Sequence, residues 1–304
     1  MQMLPNPRLT KSAEDVLWNR LSEGLVVVRM QNAGALALAA ADAQLPPGDE
    51  RVCRTGPSVF DRNGAGARSA NTKAKLAQLQ AEAQGLDAHG ILELALTGEF
   101  AGRAALVSSF GAESAVLLHL VAQIDPHTPI LLLNTGRLFG ETLHYRDRLQ
   151  NLLGLSDVRS LAPDPADCAR RDPEGSLWSC NADVCCRLRK VIPLQCALKG
   201  FSAQITGRKR FQTKERADMQ LVEFFEGRFR FNPLANWSLA DLEAHMVKHR
   251  LPRHPLVDDG YPSIGCVPCT RRIRDGEGYR DGRWAGLDKD ECGIYGAGGE
   301  AVAF

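Results

Sequence analysis

Nine cysteines are spread along this chain of 304 residues, and five of them stand at spacings that could do chemistry. Cys266 and Cys269 form a CxxC pair in GCVPCTRR, with Gly265 and Pro268 to shape the loop. Two thiolates at that spacing can face one metal. Cys185 and Cys186 are adjacent in VCCRLRK. Neighbours on a regular helix diverge, so this pair needs either a local distortion or a large group between the thiols. Four thiolates suit zinc or a [4Fe–4S] cluster. The cations Arg189, Lys190, Arg271 and Arg272 flank the two pairs and would offset the negative charge of a thiolate-bound group. The fifth cysteine, Cys292, sits in DKDECGIYGAGG, before Gly293, Gly296, Gly298 and Gly299. Glycines keep a backbone loose, so this thiol is either a tail cysteine without a task or a nucleophile that must travel. Arg280 and Arg283, in GYRDGRW just upstream, would favour its thiolate or hold an anionic substrate.

Other candidates carry less. Cys53, Cys168, Cys180 and Cys196 have no partner spacing and read as small buried hydrophobes. His245 and His249 are four apart on an expected helix, but no third ligand is indicated, so they read as part of a surface face.

The elements that must position these residues are legible from residue 71 onward. TKAKLAQLQAEAQ reads as a helix ending near Gly85, and Asp87 can cap a second helix, AHGILELAL. The apolar runs RAALVSSFG, PILLLNTG, VRSLAP and FSAQITG then alternate with the helical patterns AESAVLLHLVAQI, FGETLHYRDRLQNLLG and VCCRLRKVIPLQCALKG. That alternation predicts an α/β fold, a parallel twisted sheet with helices on both faces. A later helix, NWSLADLEAHMVKH, has Ser238 as cap, Asp241 three residues on, and Trp237 and Leu242 placed as a hydrophobic staple. Residues 1–70 form an N-terminal extension without a readable role. Residues 71–304 form one domain, with an α/β core at about 87–235 and a C-terminal cysteine-bearing segment at about 236–304.

In a parallel sheet ligands bind beyond the C-terminal ends of the strands. Three expected loops lie there. SSFGAES offers Ser108, Ser109 and Gly111 to an anion, without a Walker A or GxGxxG pattern. NTGR offers Thr135, Gly136 and Arg137. TGRKRFQTKER offers Gly207, where a ligand can approach the backbone, with Arg208, Lys209, Arg210, Lys214 and Arg216, whose cations suit phosphate or sulfate. A net charge of +1 gives no global case for nucleic acid or an acidic membrane. The lack of a long apolar run and of an apolar N-terminal region predicts a cytoplasmic protein with no membrane span. In that compartment the thiols are not expected to be disulfide staples.

The run from about 87 to 295 resembles the assimilatory adenylyl-sulfate (APS) reductases of bacteria, within the wider phosphoadenylyl-sulfate (PAPS) reductase family. The matching pieces are SSFGAES, LNTGRLFGET, CCRLRK, ITGRKRFQ, FNPLANWS, GYPSIGCVPCTR, GRW and ECGIY, in family order. The resemblance implies an adenine-nucleotide alpha-hydrolase fold and Cys292 as the nucleophile that attacks the sulfur of APS. It implies a [4Fe–4S] cluster on Cys185, Cys186, Cys266 and Cys269, pairs that PAPS-specific relatives generally lack. It places Ser108 and its loop, Lys190, Arg280 and Arg283 near the phosphosulfate, and Thr135 and Gly207 along the nucleotide. Reduced thioredoxin, or a glutaredoxin-like donor, would release sulfite from the sulfonated cysteine, and a homo-oligomer is common in the family. The chain departs from the family pattern at Tyr295, where a histidine is usual. A PAPS reductase with the same chemistry, an ATP-pyrophosphatase on the same fold with structural zinc, and a sensor that retains the cluster are the competing readings.

Overall fold

The computed structural model describes residues 65–287 and 289–295. The expected extension up to residue 64, Cys53 within it, and Gly296, Gly298 and Gly299 lie outside the described residues. The first helix, α1 (Ala65–Ala83), starts before the expected residue 71 and stops ahead of Gly85, whose φ of 83° is left-handed. Asp87 caps α2 (Ala88–Leu96) by accepting from the Gly90 N–H at 2.9 Å, which satisfies one of the donors a helix start leaves open.

The four apolar runs become β1 (Ala104–Ser108), β2 (Ile130–Leu133), β3 (Val158–Leu161) and β4 (Ala203–Thr206), all parallel to their neighbours. Between them lie α3 (Ser114–Ile124), α4 (Gly140–Leu153), the short α5 (Pro165–Arg171), α6 (Leu177–Cys180), α7 (Ala182–Cys186) and α8 (Ile192–Ala197). Alternate residues of β1 face opposite layers, as the two-residue period of a strand demands. Leu106 joins the large core under α1 to α4, whereas Ala105 and Val107 pack with Leu131, Leu194 and Leu198 against α8. Helices therefore cover both faces.

Two further strands extend this mostly parallel sheet. β5 (Val222–Phe225) and β6 (Arg228–Phe231) form a hairpin around Glu226 and Gly227, both at positive φ, and β6 inserts beside β4. The six-stranded sheet runs β3-β2-β1-β4-β6-β5, with β5 antiparallel. The chain moves outward from β1 to β3 and then returns to the other side of β1. The crevice where this reversal occurs opens between the C-terminal ends of β1 and β4, which is where ligands of open α/β sheets sit.

After β6 come α9 (Leu239–Lys248), with the expected Ser238–Asp241 capping box, and α10 (Pro255–Asp258). Beyond α10 the chain wraps back over the crevice in loops and single bridges, Leu138 to Cys266 and Thr270 to Arg283. No helix among the described residues is long and apolar enough to cross a membrane.

Candidate active site

The loop after β1 is built by a local tie. The Ser108 hydroxyl accepts from the Phe110 N–H at 3.2 Å, and Phe110, fully buried, takes a left-handed φ of 48°. A non-glycine residue there is uncommon, and the turn it makes leaves Ser109 exposed beside Gly111. The loop after β4 brings Gly207, Arg208 and Lys209 to the same crevice. Together they line a cavity of about 200 Å³ that also takes in Lys190, Arg216, Arg280, Arg283 and Cys292.

Charge in this cavity is one-sided. Six cationic side chains, Lys190, Arg208, Lys209, Arg216, Arg280 and Arg283, meet two carboxylates, Glu113 and Glu291. Burial pushes the Lys209 ammonium down from its ordinary value, against the pull of Glu113, and burial with the neighbouring Arg283 and Arg216 pushes Arg280 down. Cations held this way favour an anion that can replace their lost water.

Both carboxylates escaped the sequence reading. Glu113 receives the Lys209 ammonium, the Gln212 amide at 3.1 Å and the Tyr279 hydroxyl at 2.5 Å. Glu291 accepts from Nε and Nη2 of the Arg216 guanidinium at 2.5 and 2.7 Å. Both lie in short motifs, SSFGAES and ECGIY, but their partners lie far away in sequence, so local spacing does not show what they bind. Tyr279 is pushed far up by burial and by Glu113, and remains a hydroxyl donor.

A second cavity adjoins the first and is lined by Cys185, Cys186, Cys266 and Cys269 with Thr135, Arg137, Arg189 and Lys190. The two pairs are brought together by different devices. Cys185 and Cys186 are the last two residues of α7, in regular helical backbone, and a π-helical turn, Arg187–Val191, follows directly and brings Arg189 and Lys190 to the same cavity. The CxxC pair forms a single 3-10 turn pinned to the β2 loop, where the Val267 N–H donates to the Arg137 carbonyl at 2.8 Å. Burial pushes the thiols of Cys185 and Cys269 up, and that of Cys186 to about 12.

The β2 loop therefore serves the cysteines. Thr135 Oγ1 lies 3.2 Å from Cys266 Sγ, its carbonyl accepts from Arg189 at 3.2 Å, and Arg137 donates to the Gly175 carbonyl at 2.5 Å. Thr135 and Arg137 line this second cavity, and Gly136 lines neither. The buried Asp172 binds Arg189 at 2.7 Å and lies 4.0 Å from Arg137, which ties the loop to the helix carrying the cysteine pair.

Cys292 stands at the junction. It is half-buried, packs on Cys266, Cys269 and Trp284, and lines the cationic cavity. Lys190 faces both cavities, and the thiols of Cys266, Cys292 and Cys186 together hold its ammonium above the ordinary lysine range despite burial. The backbone around Cys292 is tied on both sides, by Arg280 to the Asp290 carbonyl at 2.9 Å and by Arg230 to the Tyr295 carbonyl at 3.1 Å.

The histidine pair gains a third member from α3. His119 Nδ1 lies 3.1 Å from His245 Nε2, and the His249 ring stacks within 4.5 Å of both. Among the described residues, no three histidine, cysteine or acidic side chains converge on a point that would hold one ion. The three rings are a packed cluster between α3 and the C-terminal end of α9.

Fold and site define an α/β protein with an anion-accepting crevice at the sheet reversal and a thiol poised between that crevice and four buried cysteines. The family model of the phosphoadenosine phosphosulfate reductase domain matches residues 103–272, and the chain belongs to that family. An adenosine 5'-phosphosulfate reductase of Chelativorans sp. (strain BNC1) is 48% identical over 226 residues, which are 74% of this chain and 92% of the relative. One of Mesorhizobium japonicum is 47% identical over 71% of this chain and 87% of its own length. The crystal structure of a PAPS reductase from Candida auris, a phosphate complex, shares the fold with a TM-score of 0.54 at 24% identity, covering 63% of this chain and 94% of that one.

Proposed function

We infer that the protein reduces adenylyl sulfate to sulfite and AMP, with Cys292 as the nucleophile. The observation that carries this reading is the placement of one thiol at the edge of a crevice with six cations and two carboxylates, between the loops of β1 and β4. The Cys292 thiolate attacks the sulfonyl sulfur. The sulfur–oxygen bond to the phosphate breaks, AMP leaves with the electron pair, and an S-sulfocysteine remains. A thiolate of reduced thioredoxin then attacks the Cys292 sulfur and displaces sulfite. Its second thiol resolves the mixed disulfide, so the dithiol supplies two electrons and becomes the disulfide. Splitting the reaction at a covalent intermediate lets one nucleophile serve a small ligand and a protein donor in turn.

The chain's own residues account for the first step. Arg216, Arg280 and Arg283 offer fixed donors to phosphosulfate oxygens and to the charge that grows on the departing phosphate. Lys190 lines the cavity with the thiol and adds a cation on the side of the phosphosulfate. Ser109 and the glycine-bearing turns of Gly111 and Gly207 let the nucleotide approach the backbone.

The four buried cysteines would hold a [4Fe–4S] cluster. The four cysteines line one cavity, a donor set that suits such a cluster. The Nε atoms of Arg137 and Arg189 at that cavity and the nearby Trp284 Nε1 are buried without a hydrogen-bond partner, and sulfide acceptors would supply one. Bound there, the group would crosslink the Cys185–Cys186 helix to the CxxC loop and set the local charge.

The test is to incubate anaerobically purified protein with APS, or with PAPS in parallel, without any reductant, and to seek a sulfonate adduct by intact and peptide mass spectrometry. An adduct on Cys292 from APS is expected. An adduct from PAPS alone would reassign the substrate, and none from either nucleotide would sink the reading.

A further inference from the structure

Tyr295 lies three residues beyond Cys292 and lines the same cavity. Its ring stands among three guanidiniums, with Arg208, Arg230 and Arg216 at 4.8, 5.6 and 5.8 Å from the ring centroid. Each arginine is held independently of that ring. Arg208 donates to Asn232 Oδ1 at 3.1 Å and pairs with Glu223, Arg230 lies 3.7 Å from the same carboxylate, and Arg216 grips Glu291 and Gln212. The cage belongs mainly to the sheet edge, and the ring belongs to the segment that bears the thiol.

The electrostatics suit a neutral ring. Burial and the nearby Arg208 push Arg230 down to about 10, so the guanidiniums crowd one another. An aromatic face carries partial negative charge and attracts each of them. Burial also pushes the Tyr295 hydroxyl up, which keeps the ring neutral. A protonated imidazole at this position would add a fourth cation.

We propose that Tyr295 is the positioning residue for Cys292. Its ring, seated in the cage of Arg208, Arg216 and Arg230, and its carbonyl, held by Arg230, anchor the segment so that the thiol rests in the crevice. The proposal rests on the reading of Cys292 as nucleophile, and the experiment separates the two.

The rate at which iodoacetamide labels Cys292 in the substrate-free, anaerobically purified protein measures how firmly the segment is seated. Tyr295→Leu is expected to raise that rate about tenfold, the scale of losing several partly desolvated cation–π contacts. Tyr295→Phe, which keeps the ring, restores slow labelling to within about twofold of the parent. In single turnovers with saturating APS, Tyr295→Leu is expected to slow the formation of the Cys292 adduct about tenfold. The APS concentration for half-maximal rate should change less than the rate itself. Equal labelling of Cys292 in the parent and Tyr295→Leu overturns the proposal, as does fast labelling in Tyr295→Phe. Faster labelling of Cys292 in Tyr295→Leu, with no adduct in the parent protein from any nucleotide, keeps the anchor and removes the nucleophile. If Tyr295→Leu exposes every cysteine together, Tyr295→Met, unbranched and able to fill an irregular gap, repeats the comparison, and the same unselective result there overturns the proposal.

Discussion

The strands that carry the crevice and the segment that carries the thiol are held by different forces. Leu106, Ile130, Leu132 and Ile205 are at most 1% exposed, and their strands share parallel ladders across β1, β2 and β4. The chain beyond α10 has one turn of 3-10 helix as its only regular piece among the described residues. Beside small apolar clusters around Ile264 and Trp284, polar ties hold it: Arg271 to Glu277 at 2.6 and 2.8 Å, Tyr279 to Glu113, Arg216 to Glu291 and Arg230 to the Tyr295 carbonyl. Apolar burial is non-directional and fixes a layer. Hydrogen-bonded ion pairs are directional and yield to salt, competing anions and small displacements. A thiol that must face first a nucleotide and then a protein is better placed on the second kind of support.

The largest expected effect removes the chemistry and leaves both supports. Cys292→Ser should lower sulfite release by about 10³-fold or more, since no other group carries the covalent step. Its thermal midpoint should stay near that of the parent, because the side chain is half-buried and keeps its shape. Substantial turnover by this variant, measured with reduced thioredoxin, would move the nucleophile elsewhere.

Leu106→Ala attacks the other side of the comparison. Leu106 is fully buried between β2 and β4, and deleting it should cost about 2–5 kcal/mol of stability by denaturant unfolding. The folded fraction should still form the Cys292 adduct within about threefold of the parent rate, because the cavity would open in the layer that faces away from α8. A large loss of adduct rate with little loss of stability would mean that sheet packing and thiol position are coupled.

The contrast also explains what the sequence makes legible. Apolar strands between turn residues announce themselves, and so do the caps at Asp87 and Ser238, because burial and capping leave local patterns. The hairpin of β5 and β6 does not. VEFF and RFRF mix charge with aromatics, and the turn is Glu226–Gly227, not Asn-Gly or Asp-Gly. Arg230, on β6, is buried because it turns toward Glu223 and Tyr295, a tertiary reason invisible in a short window. The cysteine pairs and strand-end glycines could be read from type and spacing. Glu113, Tyr279 and Glu291 could not, because each acts through partners 75 or more residues away. His119 completes the histidine cluster from 126 residues upstream of His245.

Lower pH should weaken the scaffold before it weakens the polar ties. His254 is fully buried, with Thr142 Oγ1 at 3.0 Å from Nε2 and the Leu256 N–H donating to Nδ1 at 3.2 Å. Burial pushes it down to about 4, from 6.5 in the unfolded chain, and His245 is pushed down to about 4 in the same way. Between those values the unfolded state binds the proton and the folded state refuses it, so stability is full above about 6.5 and falls as pH drops toward 4. For His254 alone the loss is at most roughly 1.4 kcal/mol per pH unit across that window. Urea midpoints at pH 7 and pH 5 should differ in this direction, and the difference should shrink in His254→Asn. An unchanged slope in that variant would assign the pH dependence to other groups.

The smallest expected effect discriminates among the polar ties themselves. Glu291 and Arg216 form a two-pronged pair whose side chains are 18% and 11% exposed, directly beside Cys292. Lys289 and Asp183 form a second pair nearby, but the Asp183 side chain is 70% exposed. Exposed pairs contribute about 0–1 kcal/mol, whereas two-pronged guanidinium–carboxylate pairs combine charge with fixed geometry. Glu291→Gln should therefore speed iodoacetamide labelling of Cys292 by about fivefold, and Asp183→Asn by less than about twofold. Raising the salt to 0.5 M, where screening acts within about 4–5 Å, should move the parent and Asp183→Asn, which both keep the Glu291–Arg216 pair, part of the way toward the Glu291→Gln rate and leave Glu291→Gln nearly where it was. Equal rates for the two variants would mean that the segment is seated by its ring and backbone contacts alone. The support of the thiol would then be closer in kind to that of the sheet than its charge pairs suggest.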